Sequence, residues 1–235
     1  MPESLNTTPA ARLAAVKSRI DAACRACGRT ATDVTLVAVS KTHPPEAIAR
    51  LADQGQVDFG ENYVKEATTK IQSLSDRTLF WHFIGHIQSN KCAEIARHFD
   101  WVHSVERVKT ARRLSDAALE AGRILNVMLQ VNLDGGGNKS GVSPASLPAL
   151  IDDVAGFDGI RVRGLMAIPE PSPNEARQRE TFAALRRLRD DAAKSFDGLE
   201  YLSMGMSADL ESAILEGATH VRIGTALFGP RDYSR

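Results

Sequence analysis

The chain has 235 residues, of which 43% are hydrophobic and 25% charged, and its formal net charge is zero. That length suits one α/β barrel and falls short of a barrel plus a second domain, and the composition is that of a globular domain with a core of useful size. The charge balance leaves no footprint for nucleic acid or an anionic membrane, no window reaches the roughly 18–20 apolar residues of a membrane span, and the polar start Met1 to Ala10 has no signal-peptide core, so a cytoplasmic protein is expected. It is expected also to be a monomer.

The opening helix runs from Thr8 to Cys27, with Leu13, Val16 and Ile20 at helical spacing and Gly28 as its stop. Strand one, Val34 to Ser40, precedes a helix that starts after Pro44-Pro45. Strand two, Val57 to Gly60, precedes a helix from about Asn62 to Leu74. Strand three is Leu79 to Ile84, with a helix from Ser89 to His98. Strand four is Trp101 to Ser104, with a helix from Val108 to Ala121. Strand five, Asn126 to Asn132, is followed by a glycine-rich loop from Asp134 to Gly141 and a helix from Ser143 to Ala155. Strand six is Val162 to Ala167. A proline-rich loop, Pro169 to Pro173, leads from it to a charged helix, Asn174 to Lys194. Strand seven is Tyr201 to Ser203, the next helix Ala208 to Glu216, and strand eight His220 to Ile223. Strict alternation of strand and helix argues for a parallel sheet, and eight units favour a single-domain (β/α)8 TIM barrel over an open doubly wound sheet.

The three cysteines, Cys24, Cys27 and Cys92, make no disulfide framework. Cys24 and Cys27 form a C-x-x-C inside a helical pattern. No second pair completes a zinc site, and no strand precedes them as in a redox motif, so structural thiols are expected. No metal triad stands out among the histidines and acids.

A barrel carries its site on the loops that follow its strands. Lys41 follows the apolar run Leu36 to Val39 with only Ser40 between. Partial desolvation there lowers the lysine pKa and favours a neutral amine able to form Schiff bases; a surface lysine just past the strand is the competing reading. Strand seven ends in Ser203-Met204-Gly205-Met206-Ser207, and strand eight in Ile223-Gly224-Thr225. Glycines turn backbone N–H groups toward a phosphate, hydroxyls add donors, and these two loops are the customary phosphate site of such barrels; plain tight turns are the alternative. Arg222, if inward, can donate to a ring nitrogen or a phosphate. Together these groups describe a site for pyridoxal 5′-phosphate (PLP). His82, within strand three, reads as a hydrogen-bonded barrel histidine. His86, at its end, reads as a residue shaping the mouth, though either could be a general base.

Seven motifs carry a resemblance. They are AVSKT at Ala38 to Thr42, FGENY at Phe59 to Tyr63, WHFIGHIQSNK at Trp81 to Lys91, NKSG at Asn138 to Gly141, RGLMAI at Arg163 to Ile168, SMGMSAD at Ser203 to Asp209 and VRIGTALFG at Val221 to Gly229. In these the chain resembles the PLP homeostasis proteins of the YggS/PROSC type, which have an alanine racemase-like barrel, from about Leu36 to Tyr233. The resemblance implies a Schiff base on Lys41 and a phosphate held by Ser207, Gly224 and Thr225 with backbone from Met204 and Gly205. It implies also that Arg222 faces the pyridine nitrogen and that Asn62 lies near the ring. Departures are His43, where many relatives have lysine, and the Gly135-Gly136-Gly137 run.

An arginine opposite the pyridine nitrogen disfavours its protonation and weakens the cofactor as an electron sink. The chain ends soon after strand eight, with no C-terminal β domain to cover the mouth. A protein that holds PLP and delivers it to apo-enzymes is therefore expected, ahead of an amino-acid racemase-like enzyme or a PLP-free phosphate-binding isomerase. Lys139, on the strand-five loop, is expected to act as a second PLP-reactive lysine that aids release by transimination. A solvated lysine paired with an acid such as Asp134 is its competing reading.

Overall fold

In the computed structural model, which describes residues 8–135 and 139–229, eight parallel strands pair in sequence order and the last closes on the first. The elements are α1 (Pro9–Ala26), β1 (Thr35–Val39), α2 (Pro45–Ala52), β2 (Asp58–Glu61), α3 (Val64–Ser73), β3 (Phe80–Phe83), α4 (Cys92–His98) and β4 (Trp101–Val105). They continue with α5 (Val108–Glu120), β5 (Leu125–Gln130), α6 (Leu147–Ala155), β6 (Ile160–Met166), α7 (Glu175–Ala192), β7 (Tyr201–Ser203), α8 (Leu210–Leu215), β8 (His220–Ile223) and α9 (Thr225–Phe228). The expected barrel with an extra N-terminal helix is what forms. Asn138, Gly136 and Gly137 of the strand-five loop and Tyr233 lie outside the described residues. Among the described residues no helix is long and apolar enough to cross a membrane.

Alternation along each strand sorts the side chains into two layers. Leu36, Ala38, Phe59, Trp81, Phe83, Val102, Leu202, Val221 and Ile223 turn outward and are buried beneath the helices, where Ile48, Ile95, Leu114, Ile151 and Phe182 meet them. Each fully buried aliphatic or aromatic side chain of this layer contributes about 1.5–3 kcal/mol relative to exposure. The alternate positions turn inward. Val37 and Val39 approach Gly60, and Val39 also approaches Gly224. His82, His103, His220 and Arg222 are inward too, and all four are buried.

Several boundaries differ from the sequence expectation, each for a local reason. The third helix starts at Val64, which leaves Asn62 and Tyr63 in the loop at the barrel mouth. The helices expected from Ser89 and Ser143 open with 3-10 turns, Ser89–Lys91 and Pro144–Ser146, before the α-helical geometry sets in. The helix expected from Ala208 to Glu216 shortens to α8, because Asp209 folds back to accept from the Met206 N–H at 2.6 Å. The four-residue α9 was read as loop, since Gly224 and Gly229 flank it.

Helix α1 is capped by Thr8, whose hydroxyl accepts from the Ala11 N–H, and it buries Leu13, Val16, Ile20 and Cys24 against the shell. Its Arg19 binds both carboxylate oxygens of Glu211 at 2.6 and 2.8 Å and also the Ser207 carbonyl at 3.0 Å. The extra helix therefore holds the loop that follows β7. Cys24 lies in the buried face, where burial raises its thiol pKa, and it is no activated thiol.

Backbones also meet tightly where β2 and β3 end. A Cβ on Gly85 would lie 2.1 Å from the Asn62 carbonyl oxygen. Gly85→Ala is expected to cost about 1–3 kcal/mol through overpacking, read as a fall in the urea midpoint at unchanged slope.

Candidate functional site

The site is built at the ends of β1, β2, β7 and β8, and its central feature is how the chain around Lys41 is held. Alternation turns Ser40 outward and sets the half-buried Lys41 on the inward side, continuing the row of Val37 and Val39. Ser40 Oγ donates to Glu61 Oε1 at 2.7 Å. Lys70 Nζ, from α3, donates to the Ser40 carbonyl at 2.8 Å, to Glu61 Oε1 at 2.7 Å and to Glu66 Oε1 at 2.5 Å. Glu66 Oε1 also accepts the Thr42 N–H at 2.6 Å. One buried ammonium and two carboxylates thus tether the residues on both sides of Lys41.

Thr42 adopts φ 68°, a left-handed conformation that a β-branched residue rarely takes. The tether to Glu66 holds that strained turn, which makes the Lys41 position stiff. Burial pushes the Glu61 carboxyl pKa up, against the pull of Lys70, and its second oxygen has no partner. The sequence reading missed Lys70 and Glu66. A helical Glu-x-x-x-Lys spacing reads as an ordinary surface pair, and nothing local reveals that this one points inward under a strand end.

Arg222 is inward and buried. Its two terminal nitrogens donate to Ser203 Oγ at 2.6 Å and to the Ala167 carbonyl at 2.9 Å. Burial lowers its pKa to about 10, with Asp209 acting in the opposite sense, and at neutral pH it remains a cation. Gly205 sits at φ 92°, and a Cβ there would come within 2.6 Å of the Ala213 Cβ, so only glycine fits. The Gly205 carbonyl accepts the Arg222 N–H at 2.9 Å, which ties the ends of β7 and β8 together. Met204 is buried in the outer layer and offers backbone alone to the mouth. Ser207 is half-buried, Gly224 is half-buried at the cap of α9, and Thr225 is exposed as its first residue. With four residues α9 has little dipole, so an anion here would be met mainly by the N–H groups and hydroxyls of these two loops.

Asn62 lines a cavity of about 470 Å³ at the mouth, together with His86, Gln130, Lys139 and Glu170. Its Oδ1 is buried with no hydrogen-bond partner, an unmet acceptor in a concave site. His86 is exposed, 4.0 Å from Glu106. His82 is a buried, hydrogen-bonded barrel histidine: its rings atoms lie 3.0 Å from His103 Nε2 and from Asp58 Oδ1. Among the described residues no cluster of His, Cys, Asp and Glu could hold a metal ion.

Around Lys139 the structure shows the competing reading, a loop lysine paired with acids. Its Nζ lies 2.9 Å from Asp134 and 2.6 Å from Glu170, and hydrogen bonds to Glu170 and Asp134 raise its pKa. A lysine held as a cation between two carboxylates is a poor nucleophile.

Residues 12–232 match the family described as alanine racemase, N-terminal domain. The pyridoxal phosphate homeostasis protein of Pseudomonas aeruginosa is 53% identical over 227 residues, covering 97% of each chain. That of Escherichia coli K12 is 46% identical over 226 residues, 95% of this chain and 97% of the relative. Among solved structures, PipY of Synechococcus elongatus with PLP bound superposes with a TM-score of 0.85 at 38% identity, over 94% of this chain and all of PipY. Alanine racemase of Corynebacterium glutamicum shares the barrel (TM-score 0.70), but at 17% identity, and this chain covers 62% of its length. The chain belongs to the family of pyridoxal phosphate homeostasis proteins, built on the barrel of the alanine racemase N-terminal domain.

Proposed function

We propose that this protein binds PLP as a Schiff base on Lys41 and serves to hold the cofactor and deliver it to apo-enzymes. The observation that carries the reading is the tether of Ser40, Glu61, Glu66 and Lys70, which fixes the one inward lysine at the end of β1 within a mouth also bearing Arg222 and the glycine loops. The residues fit the group. Asn62 Oδ1 is an unmet buried acceptor, and the cradle at Gly205 excludes any side chain. PLP supplies an aldehyde that a lysine amine captures, joined to an aromatic ring and a phosphate. The names of the relatives and the PLP bound to PipY support the same reading.

Each residue then has a part. Lys41 holds the aldehyde carbon. Ser207, Gly224 and Thr225 receive the phosphate, with backbone from Met204 and Gly205. Asn62 lies beside the ring. Arg222, a fixed cation, would face the pyridine nitrogen and disfavour its protonation. That arrangement favours storage over catalysis, because an unprotonated ring stabilises a carbanion poorly. We therefore read the protein as a non-enzymatic carrier of the cofactor.

Three results follow. Lys41→Ala loses the visible Schiff-base absorbance on PLP titration while the fold, read by circular dichroism, is kept; an unchanged band would move the covalent site elsewhere. Ser207→Ala and Thr225→Ala each weaken PLP by about 1–3 kcal/mol through lost bonds to a charged group and leave pyridoxal, which has no phosphate, nearly unaffected. Equal losses for both ligands in a binding titration would put the phosphate at another place. With alanine or other common amino acids, chiral chromatography should find no racemisation; turnover on the order of 1 per second or more would make the protein an enzyme.

A further inference from the structure

Below the mouth, a single file of polar groups crosses the barrel interior. Arg222 donates to Ser203 Oγ at 2.6 Å, and Ser203 Oγ lies 2.8 Å from His103 Nδ1. His103 Nε2 lies 3.0 Å from His82 Nδ1, and His82 Nε2 lies 3.0 Å from Asp58 Oδ1. Ser203, His82 and His103 are buried. Asp58, at the start of β2, is partly exposed and lines a cavity of about 590 Å³ at the opposite end of the barrel from Lys41.

We propose that Asp58, His82, His103 and Ser203 form a one-way hydrogen-bonded chain that fixes Arg222, and are positioning residues for the pyridine end of the cofactor. The proposal rests on the reading above that Arg222 faces that ring.

The direction follows from the two ends. A guanidinium only donates, and a carboxylate only accepts. Ser203 accepts from Arg222, which leaves its own proton available to His103 Nδ1. His103 then carries its proton on Nε2 and donates to His82 Nδ1. His82 carries its proton on Nε2 and donates to Asp58. Each donor has an acceptor, and both rings stay neutral.

The reverse order needs His103 to donate from Nδ1 and to accept from His82 at Nε2. His82 must then carry two protons to reach both His103 and Asp58, which places an imidazolium inside the barrel near the Arg222 cation. The rings next to His82 resist a second proton. Burial lowers the His103 pKa, and His82, His220 and Arg222 act in the same direction. Burial holds His220 down to about 3, with His82 and Arg222 adding to the effect. The other groups facing the chain are Trp101 of β4, stacked on His82 at 6.0 Å, and Tyr201 of β7, whose ring lies 5.3 Å from His220 and carries Arg163 at 5.2 Å. Neither is a carboxylate; the one that meets His82 is Asp58, the chain's own terminal acceptor, so the protonation state of His82 is what separates the two orders.

The test begins with the unmodified chain. Long-range proton–nitrogen NMR at neutral pH should show His82 and His103 as neutral rings with the proton on Nε2. An imidazolium at His82, or a proton on His103 Nδ1, overturns the proposal without any variant. Ser203→Ala, which removes the acceptor of Arg222, should weaken PLP about tenfold, as expected for a lost bond to a charged group. It should weaken pyridoxal equally, because both ligands share the pyridine ring. Asp58→Ala, at the far end, should mix the ring tautomers and weaken both ligands about threefold, on the scale of one ordinary hydrogen bond. Asp58→Asn, whose carbonyl can still accept, should restore both readouts. Asp58→Ala with unchanged tautomers and unchanged affinities contradicts the chain. PLP binding that ignores Arg222→Gln instead removes the premise that Arg222 faces the ring, and with it the positioning role, whatever the tautomers are.

Discussion

A closed barrel of eight short strands has one interior, and alternation decides which residues share it. Here that constraint sets the rest of the structure. The outward row of β1 and β2 brings Ser40 and Glu61 to Lys70, and the inward row brings Lys41 to the mouth. On β8 the outward row, Val221 and Ile223, packs the shell, and the inward row consists of His220 and Arg222. A one-residue slip of either strand would exchange these sets, burying the lysine under helices and emptying the mouth of its arginine.

An interior of this kind has a cost. Barrels of this class are mostly filled by branched aliphatic side chains, whereas three histidines, an arginine, a serine and two aromatic rings occupy much of this one. Buried polar groups without partners would cost about 1–3 kcal/mol each. The file from Arg222 to Asp58 meets that requirement group by group. Of the orphaned atoms near the site, Asn62 Oδ1 faces the mouth, as expected where a ligand and not the protein completes the bonding, and Glu61 Oε2 lies on the outward side beside Lys70.

Much of this was legible in the chain. Short apolar runs between amphipathic stretches marked the strands, and the strand ends marked Lys41, Asn62, Ser207, Arg222, Gly224 and Thr225 as one face. What could not be read were partnerships across long separations. Ser203 and His103 are 100 residues apart, and which strands' inward residues share a level depends on the stagger of the barrel, which no local pattern encodes. Lys70 carried no signal because its three acceptors come from two other parts of the chain and one preceding turn. For Lys139 the glycine run suggested mobility and reactivity. Its second acid, Glu170, arrives from the following βα loop, and that contact turns the lysine into a paired cation.

The central claim is that one lysine, held at the end of β1 by a buried ion cluster, carries the cofactor. The most direct measurement is borohydride reduction of the PLP-loaded protein followed by peptide mapping by mass spectrometry. The account predicts one reduced pyridoxyl group per chain, on the peptide containing Lys41. A pyridoxyl group found mainly on Lys139 or another lysine, with Lys41 unmodified, would contradict it.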